Sequence, residues 1–183
     1  NIFKAGSLVS SLAQGYMLGQ YVVGFDASRA SQGFSVLSAI CVAAAYSYIG
    51  ATWLVMKTEG VLQKQAASWA RRCGWVTFLG VASVCIVNPI INPSVFQKWF
   101  DFPTSLLLFH IPLLSIALFV TNDQILKRIP LEKDFGCWIP FLGVVGIFFI
   151  CFQGLAYSFY PYVVPGKLTM MEAASATESL EFI

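Results

Sequence analysis

The side chains that could do chemistry in this sequence are few, and the first of them is its single histidine, His110. An imidazole inside an apolar run can be an axial ligand of haem. A six-coordinate haem b also needs a second histidine or a methionine, and the chain offers no second histidine. We therefore expect His110 to hydrogen-bond a neighbouring helix. Haem ligation stays open as the alternative, with the second ligand supplied by a partner chain.

The cysteines and glutamines are the other side chains with potential roles. The five cysteines form no CxxC pair, and with one histidine a zinc site is not expected. We interpret them as small apolar side chains and predict no metal site and no catalytic residue on this chain. Gln14, Gln20 and Gln153 could line a proton path, but hydrogen bonds between helices are the interpretation we favour.

The elements that hold these residues must fold in a membrane. Hydrophobic residues make up 57% of the 183 positions, charged residues only 11%, and the mean hydropathy is +0.72. A water-soluble domain does not have this composition, and the eleven scattered basic residues form no nucleic-acid-binding face. The sequence predicts an all-α, polytopic transmembrane helical bundle in a single membrane domain over residues 1–183. About five spans are expected, at residues 2–24, 34–56, 73–91, 104–121 and 135–158.

The distribution of basic residues predicts how these spans are oriented. Eight of the eleven Lys and Arg residues fall before the first span or in the connections 57–72 and 122–134, and three fall on the other side. Both connections are therefore expected to be cytoplasmic. Within the first of them, residues 58–72 have an amphipathic pattern and are interpreted as an interfacial helix that touches anionic lipid. We also expect further spans before Asn1 and after Ile183.

Small residues recur every four positions in the first two spans. Close approach over small side chains is a main source of helix association in lipid, so we predict that these two ridges pack against each other or against a partner. The ridge residues are Ser7, Ser11, Gly15, Gly19, Ser35, Ala39, Ala43, Ser47 and Ala51. Further along, Asn88, Pro89, Asn92 and Pro93 are expected to stop or unwind the third span, and Pro112 to kink the fourth.

Three stretches resemble signature segments of subunit II of cytochrome bd-type quinol oxidases, including the cyanide-insensitive branch. The most specific is GATWLVMKTEG at residues 50–60, continued by VLQKQAASWARR. The second is FQGLAYSFYPYVVPGKLTMMEAAS at 152–175, and the third is GSLVSSLAQGYMLGQYVVGF at 6–25. Motif positions without an assigned catalytic role are Trp53, Lys57, Glu59, Tyr162 and Pro165. Glu172 departs from the usual pattern, in which aspartate stands at this position.

The resemblance implies a haem-free subunit of a bacterial respiratory enzyme that oxidises quinol and reduces oxygen to water. In that family the haems, b and d or b only, and the quinol site belong mainly to subunit I, and the two subunits form a heterodimer. Subunit II supports assembly and contributes to proton or oxygen access. The expected location is the bacterial inner membrane, in contact with lipid. The alternative from another class is part of a secondary transporter, which would show internal repeats and a polar midplane site.

Overall fold

The computed structural model describes residues 2–91, 93–100, 104–129 and 136–174, and most of these residues lie in five long helices. The prediction of an all-α, polytopic helical bundle is confirmed, with one small addition, a two-stranded hairpin near the end of the described chain. In chain order the elements are α1 (Ile2–Val22), α2 (Arg29–Lys57), α3 (Gly60–Ile91), α4 (Pro93–Phe100), α5 (Thr104–Lys127), α6 (Ile139–Phe159), β1 (Tyr162–Val164), β2 (Leu168–Thr169) and α7 (Met170–Ala173).

Four helices are long and apolar enough to cross a membrane: Arg29–Lys57, Gly60–Ile91, Phe109–Lys127 and Ile139–Phe159. They correspond to the second to fifth predicted spans. The first predicted span, 2–24, is helical as α1, but serine, glutamine and glycine interrupt its apolar residues and it does not reach the apolarity of the other four. The chain is thus a multi-pass membrane protein whose apolar helices match the expected count approximately.

The connection 57–72 differs from its predicted structure. Only Thr58 and Glu59 lie between α2 and α3, and Gly60, at a φ of 64°, opens α3. Residues 60–72 are the first part of one continuous 32-residue helix, and they pack along α2 instead of forming a separate interfacial helix. Alanine-rich packing explains this, because Ala66, Ala67 and Ala70 are fully or almost fully buried. At about 1.5 Å per residue α3 is roughly 48 Å long, so it extends beyond a hydrocarbon core of about 30 Å.

The other predicted boundaries shift by smaller amounts. Helix α2 begins at Arg29, five residues before the predicted span. Ser28 is its N-cap, and the Ser28 side chain accepts a hydrogen bond from the backbone N–H of Ser31. The third span ends at Ile91, as the Asn-Pro motif predicts, although the helix continues through Pro89. Likewise α5 continues through Pro112 and reaches Lys127, so the connection 122–134 is helical at its start. Residues 130–135, and with them the start of the fifth predicted span, lie outside the described residues.

Two apolar clusters hold the helices together. One joins α2, α3, α5 and α6 around Tyr48, Val55, Phe119 and Val144. The other lies at the opposite end of the bundle, where the end of α1 and the start of α2 meet α4 and the end of α6. The first cluster stands next to the polar residues described below, so the fold fixes their positions.

Candidate functional site

An apolar cavity of about 380 Å³ lies between α1, α2, α3, α5 and α6. Its wall includes Leu18, Phe34, Val84, Ile111 and Phe148, and its polar members are neutral hydroxyl, amide and indole groups. No Asp, Glu, Lys, Arg or His of the described residues lines it. Such a cavity suits a small apolar molecule or an aliphatic chain, and it provides no group that would carry charge.

Three of the five cysteines, Cys41, Cys85 and Cys151, face this cavity. All five are free thiols, buried or half-buried. Among the described residues no group of three His, Cys, Asp or Glu side chains is close enough to hold a metal ion. The cysteines therefore contribute to packing in the structure.

A polar cluster joins α2, α5 and α6 at the end of the bundle where α3 begins. Asn122 is 1% exposed, and its Nδ2 donates to the hydroxyl of Tyr48 and to the carbonyl oxygen of Pro140, each at 3.3 Å. Its amide also lies against Gly143 so closely that a Cβ built there would overlap it. The cluster thus uses the absence of a side chain on α6 to admit an amide from α5.

An ion triad lies one residue further along α5. Asp123 Oδ1 accepts from Arg71 Nε at 2.8 Å, and Asp123 Oδ2 lies 2.7 Å from Lys127 Nζ. The two cations are 38% and 45% exposed and the carboxylate 17%, so solvent screens both pairs in part. The triad connects α3 to α5 and carries one surplus positive charge.

Sequence reasoning missed both groups. The spacing of Asp123 and Lys127, four apart in a helix, was a usable signal for their ion pair. No local signal relates Tyr48 to Asn122, which lie 74 positions apart. Gln63, also missed, is 2% exposed and donates to the Val55 carbonyl oxygen at 3.1 Å across the α2–α3 turn.

The small-residue ridges meet over part of their length. A Cβ built on Gly15 would lie 2.6 Å from Ala39 Cα, and one on Gly19 would lie 2.5 Å from Ser35 Cα. At these positions the backbones of α1 and α2 touch. Of the remaining ridge residues, Ser7 and Ser47 are exposed, Ser11 and Ala43 are half-buried, and Ala51 belongs to the cluster formed with α3, α5 and α6.

The glutamines of α1 reinforce this contact. Gln20 Nε2 donates to Ser35 Oγ at 2.9 Å, and Gln14 Oε1 accepts from the Tyr46 hydroxyl at 2.9 Å. Gln153, in contrast, is exposed on α6. Two of the three glutamines thus make the interhelical hydrogen bonds that the sequence suggested.

The motif residues of the GATWLVMKTEG stretch lie at the α2–α3 turn. Lys57 Nζ stands 5.2 Å from the centroid of the Trp53 ring, and Trp53 packs edge-on against Phe141 at 5.1 Å. Glu59 is exposed in the turn itself. The basic side chain therefore lies over an aromatic ring at the end of the span, which is the arrangement expected for a lysine at a membrane boundary.

The second motif folds into the β1–β2 hairpin and contacts the α1–α2 connection. Tyr162 pairs with Thr169, Pro165 is buried against Gly24, and the Tyr21 hydroxyl donates to the Val163 carbonyl oxygen at 2.7 Å. Glu172 forms a capping box with Thr169. The pKa of Glu172 lies below its usual value because its carboxylate accepts from the backbone N–H and the hydroxyl of Thr169.

Lys98 of α4 closes the same end of the bundle. Its ammonium donates to the carbonyl oxygens of Ser158 and Tyr160, where α6 ends and its terminal carbonyls lack helical partners. Burial lowers the pKa of Lys98. His110, the one candidate haem ligand, is exposed on α5.

The family comparison covers the whole chain. A family model described as cytochrome bd terminal oxidase subunit II matches residues 1–183. The chain belongs to this family. The resemblance inferred from the three motifs is thereby confirmed, and the chain is placed in a respiratory oxidase complex that carries haems and includes a subunit I. No curated protein matches the sequence.

Membership of the cytochrome bd subunit II family gives the two motif regions a context. They lie at opposite ends of the bundle, one at the α2–α3 turn and the other at the hairpin beyond α6. Both are built from contacts within the chain: cation to ring at one end, and hairpin to helix connection at the other. In this structure the two motif regions make packing contacts within the chain at the two ends of the membrane helices.

Proposed function

We propose that this chain is the haem-free subunit II of a bacterial respiratory quinol:oxygen oxidoreductase. In that role it supports assembly of the haem-bearing subunit I in the inner membrane. The observation that carries the proposal is the match to the subunit II family over all 183 residues. The reaction of the complex is oxidation of quinol to quinone coupled to reduction of oxygen to water, with redox centres on the partner.

The donor set of this chain does not fit a haem held within it alone. His110 is the one histidine of the sequence, and its side chain is exposed on α5. A six-coordinate haem b would also need a second histidine or a methionine, and the chain has no second histidine. We propose that the haems, b and d or b only, and the quinol site lie mainly on subunit I, as membership of the family implies.

Between proton access and oxygen access, the apolar cavity favours oxygen. A proton path needs a succession of ionisable or hydrogen-bonding groups, whereas the cavity wall is mainly aliphatic and aromatic. Arg71, Asp123 and Lys127, near the ends of the third and fourth predicted spans, are paired with one another. We propose that the cavity stores or passes oxygen on its way to the partner, and that the basic end of the bundle faces the cytoplasm.

The function is tested on the complex purified from membranes through a tag on this chain. We expect haem bands in the reduced-minus-oxidised spectrum, a histidine-rich partner, and oxygen consumption that depends on added quinol. A preparation without haem and without quinol oxidation would contradict the proposal. It would favour the secondary transporter, which solute uptake into proteoliposomes would then detect.

Replacing His110 by alanine is expected to leave the haem content of the complex unchanged. The side chain is exposed on α5, and we assign both haem ligands to the partner chain. Haem per complex is measured from the pyridine haemochrome spectrum, with the wild-type complex as reference. Loss of one haem, with the complex intact by gel filtration, would contradict the assignment and identify His110 as an axial ligand.

Filling the cavity is expected to raise the KM for oxygen several-fold without changing the haem spectrum. Val84→Trp places an indole in the cavity wall, and narrowing of an apolar route slows oxygen entry while the redox centres stay intact. Ile86→Trp is the matched control, because Ile86 is 63% exposed on the same helix and lies outside the cavity lining. Oxygen dependence is measured with saturating quinol. Equal KM values for the two variants would contradict a route through this cavity.

A further inference from the structure

A second cavity, of about 230 Å³, opens between α3 and α5 at the basic end of the bundle. We call it the α3–α5 groove. Its walls change character along its length, from the ion triad at one end to aromatic rings at the other. The lining residues used below are Arg71, Trp75, Phe78, Phe119, Asp123 and Lys127.

The polar end of the groove has more positive than negative charge. Each oxygen of Asp123 is engaged by one cation, Arg71 on Oδ1 and Lys127 on Oδ2. The Arg71 guanidinium has five N–H donors, of which Nε is the one bonded to Asp123, and the Lys127 ammonium has three. One positive charge and several donors are thus left to face an anion.

The apolar end of the groove is a wall of aromatic side chains. Phe78 packs edge-on against both Trp75, at 5.9 Å, and Phe119, at 5.3 Å. Phe119 is 8% exposed and closes the back of the groove, while Trp75 is 57% exposed at its edge. Such a wall fits a hydrocarbon chain.

The sequence gives the depth of these two ends in the membrane. The charge-free run of α3, residues 73–91, begins directly after Arg71 and Arg72, and the charge-free run of α5 stops just before Asp123. The triad therefore stands at the level of lipid headgroups, and the aromatic wall stands inside the hydrocarbon. This end also carries most of the basic residues, as the side facing an anionic leaflet does.

We propose that the α3–α5 groove binds one anionic phospholipid. Its phosphate meets Arg71 and Lys127, and one of its acyl chains lies against the wall formed by Trp75, Phe78 and Phe119. Basic pockets between membrane helices on the side of the anionic leaflet are a known way of holding such headgroups. The lipid would bridge α3 and α5 where the triad already links them.

The test measures binding of phosphatidylglycerol to the intact, delipidated complex by native mass spectrometry, with phosphatidylcholine of the same acyl chains as the neutral-headgroup comparison. Arg71→Gln is expected to weaken phosphatidylglycerol binding about fivefold, since one basic contact is lost. Asp123→Asn removes the competing carboxylate and is expected to leave binding unchanged or tighter. Lys64→Gln, which makes the same charge change at an exposed α3 site outside the groove, is expected to have no effect.

The different effects expected of Arg71→Gln and Asp123→Asn separate lipid binding from a structural role. If the triad only holds the helices together, Arg71→Gln and Asp123→Asn weaken lipid binding equally, and the proposal fails. Equal affinity for the two lipids would overturn it as well. So would displacement of the lipid by an equal concentration of inorganic phosphate, because the site would then recognise the ion alone. An unchanged gel-filtration profile, together with an unchanged haem spectrum, verifies that each variant chain is assembled in the complex.

Discussion

Replacing Gly19 by leucine is expected to separate α1 from α2 and to destabilise the complex by about 3 kcal/mol or more. A Cβ at this position would lie 2.5 Å from Ser35 Cα and 3.0 Å from Ser38 Cβ, so the obstacle includes backbone. Backbone atoms cannot rotate away as a flexible side chain does, and the helix must move. Gly15→Leu is expected to act in the same way, because its Cβ would meet Ala39 Cα at 2.6 Å.

The thermal unfolding midpoint in detergent measures this effect, with a thiol-reactive dye that reports exposure of the five free cysteines. Gly6→Leu is the matched control. It makes the same change on the same helix, but a Cβ there meets nothing within 4 Å. Leucine also favours a helix over glycine by nearly 1 kcal/mol, so the control should unfold at the same or a higher temperature. If Gly19→Leu behaves like Gly6→Leu, close α1–α2 packing is wrong.

The sequence allowed the α1–α2 contact to be anticipated at Gly15 and Gly19 but not its extent. Small residues at a spacing of four identify a smooth helix face, but they do not tell how far a second helix follows it. In the structure Ala51 continues the ridge of α2 but packs against other helices, and Ser7 at the other end of the α1 ridge is exposed. Which part of a ridge is used depends on where both helices begin and end.

The spans are predicted from hydropathy, but hydropathy does not predict that residues 60–72 continue into the third span as one helix. Hydropathy reports the solvent that a segment prefers, so Lys64, Arg71 and Arg72 predict a segment outside the hydrocarbon core. It does not report whether the backbone stays helical there. Gly60, at a φ of 64°, marks the turn before this segment, and no proline follows it before Pro89. Gly74 and Gly80 lie in between and stay helical.

The polar cluster could not be predicted at all, because its members come together only through packing. Asn122 looks like one more polar residue at the end of a span. Its role depends on Tyr48 from α2 and on a missing side chain at Gly143 of α6. A sequence presents these as three unrelated residues.

Gly143→Ala is expected to destabilise the complex by about 2–4 kcal/mol, through Asn122. The new Cβ would lie 2.7 Å from Asn122 Nδ2 and closer still to Oδ1, within an amide that Tyr48 and Pro140 hold in place. Hydrogen bonds between membrane helices average about 0.6 kcal/mol each, so the loss of the two Asn122 hydrogen bonds accounts for the smaller part of this destabilisation. Overpacking of the new methyl group against the Asn122 amide, at about 1–3 kcal/mol, accounts for the larger part.

A double-mutant cycle decides whether the amide is the cause. Asn122→Ala removes the group that the new methyl meets, so Gly143→Ala should cost far less in that background than in the wild type, with a coupling of about 1 kcal/mol or more. Gly146→Ala is the control on the same helix, because its Cβ would be in ordinary contact with Leu118 Cδ1 at 3.5 Å. Additive unfolding midpoints for Gly143→Ala and Asn122→Ala would contradict the overlap. Coupling would show that α6 can pack against α5 only while a glycine faces this asparagine.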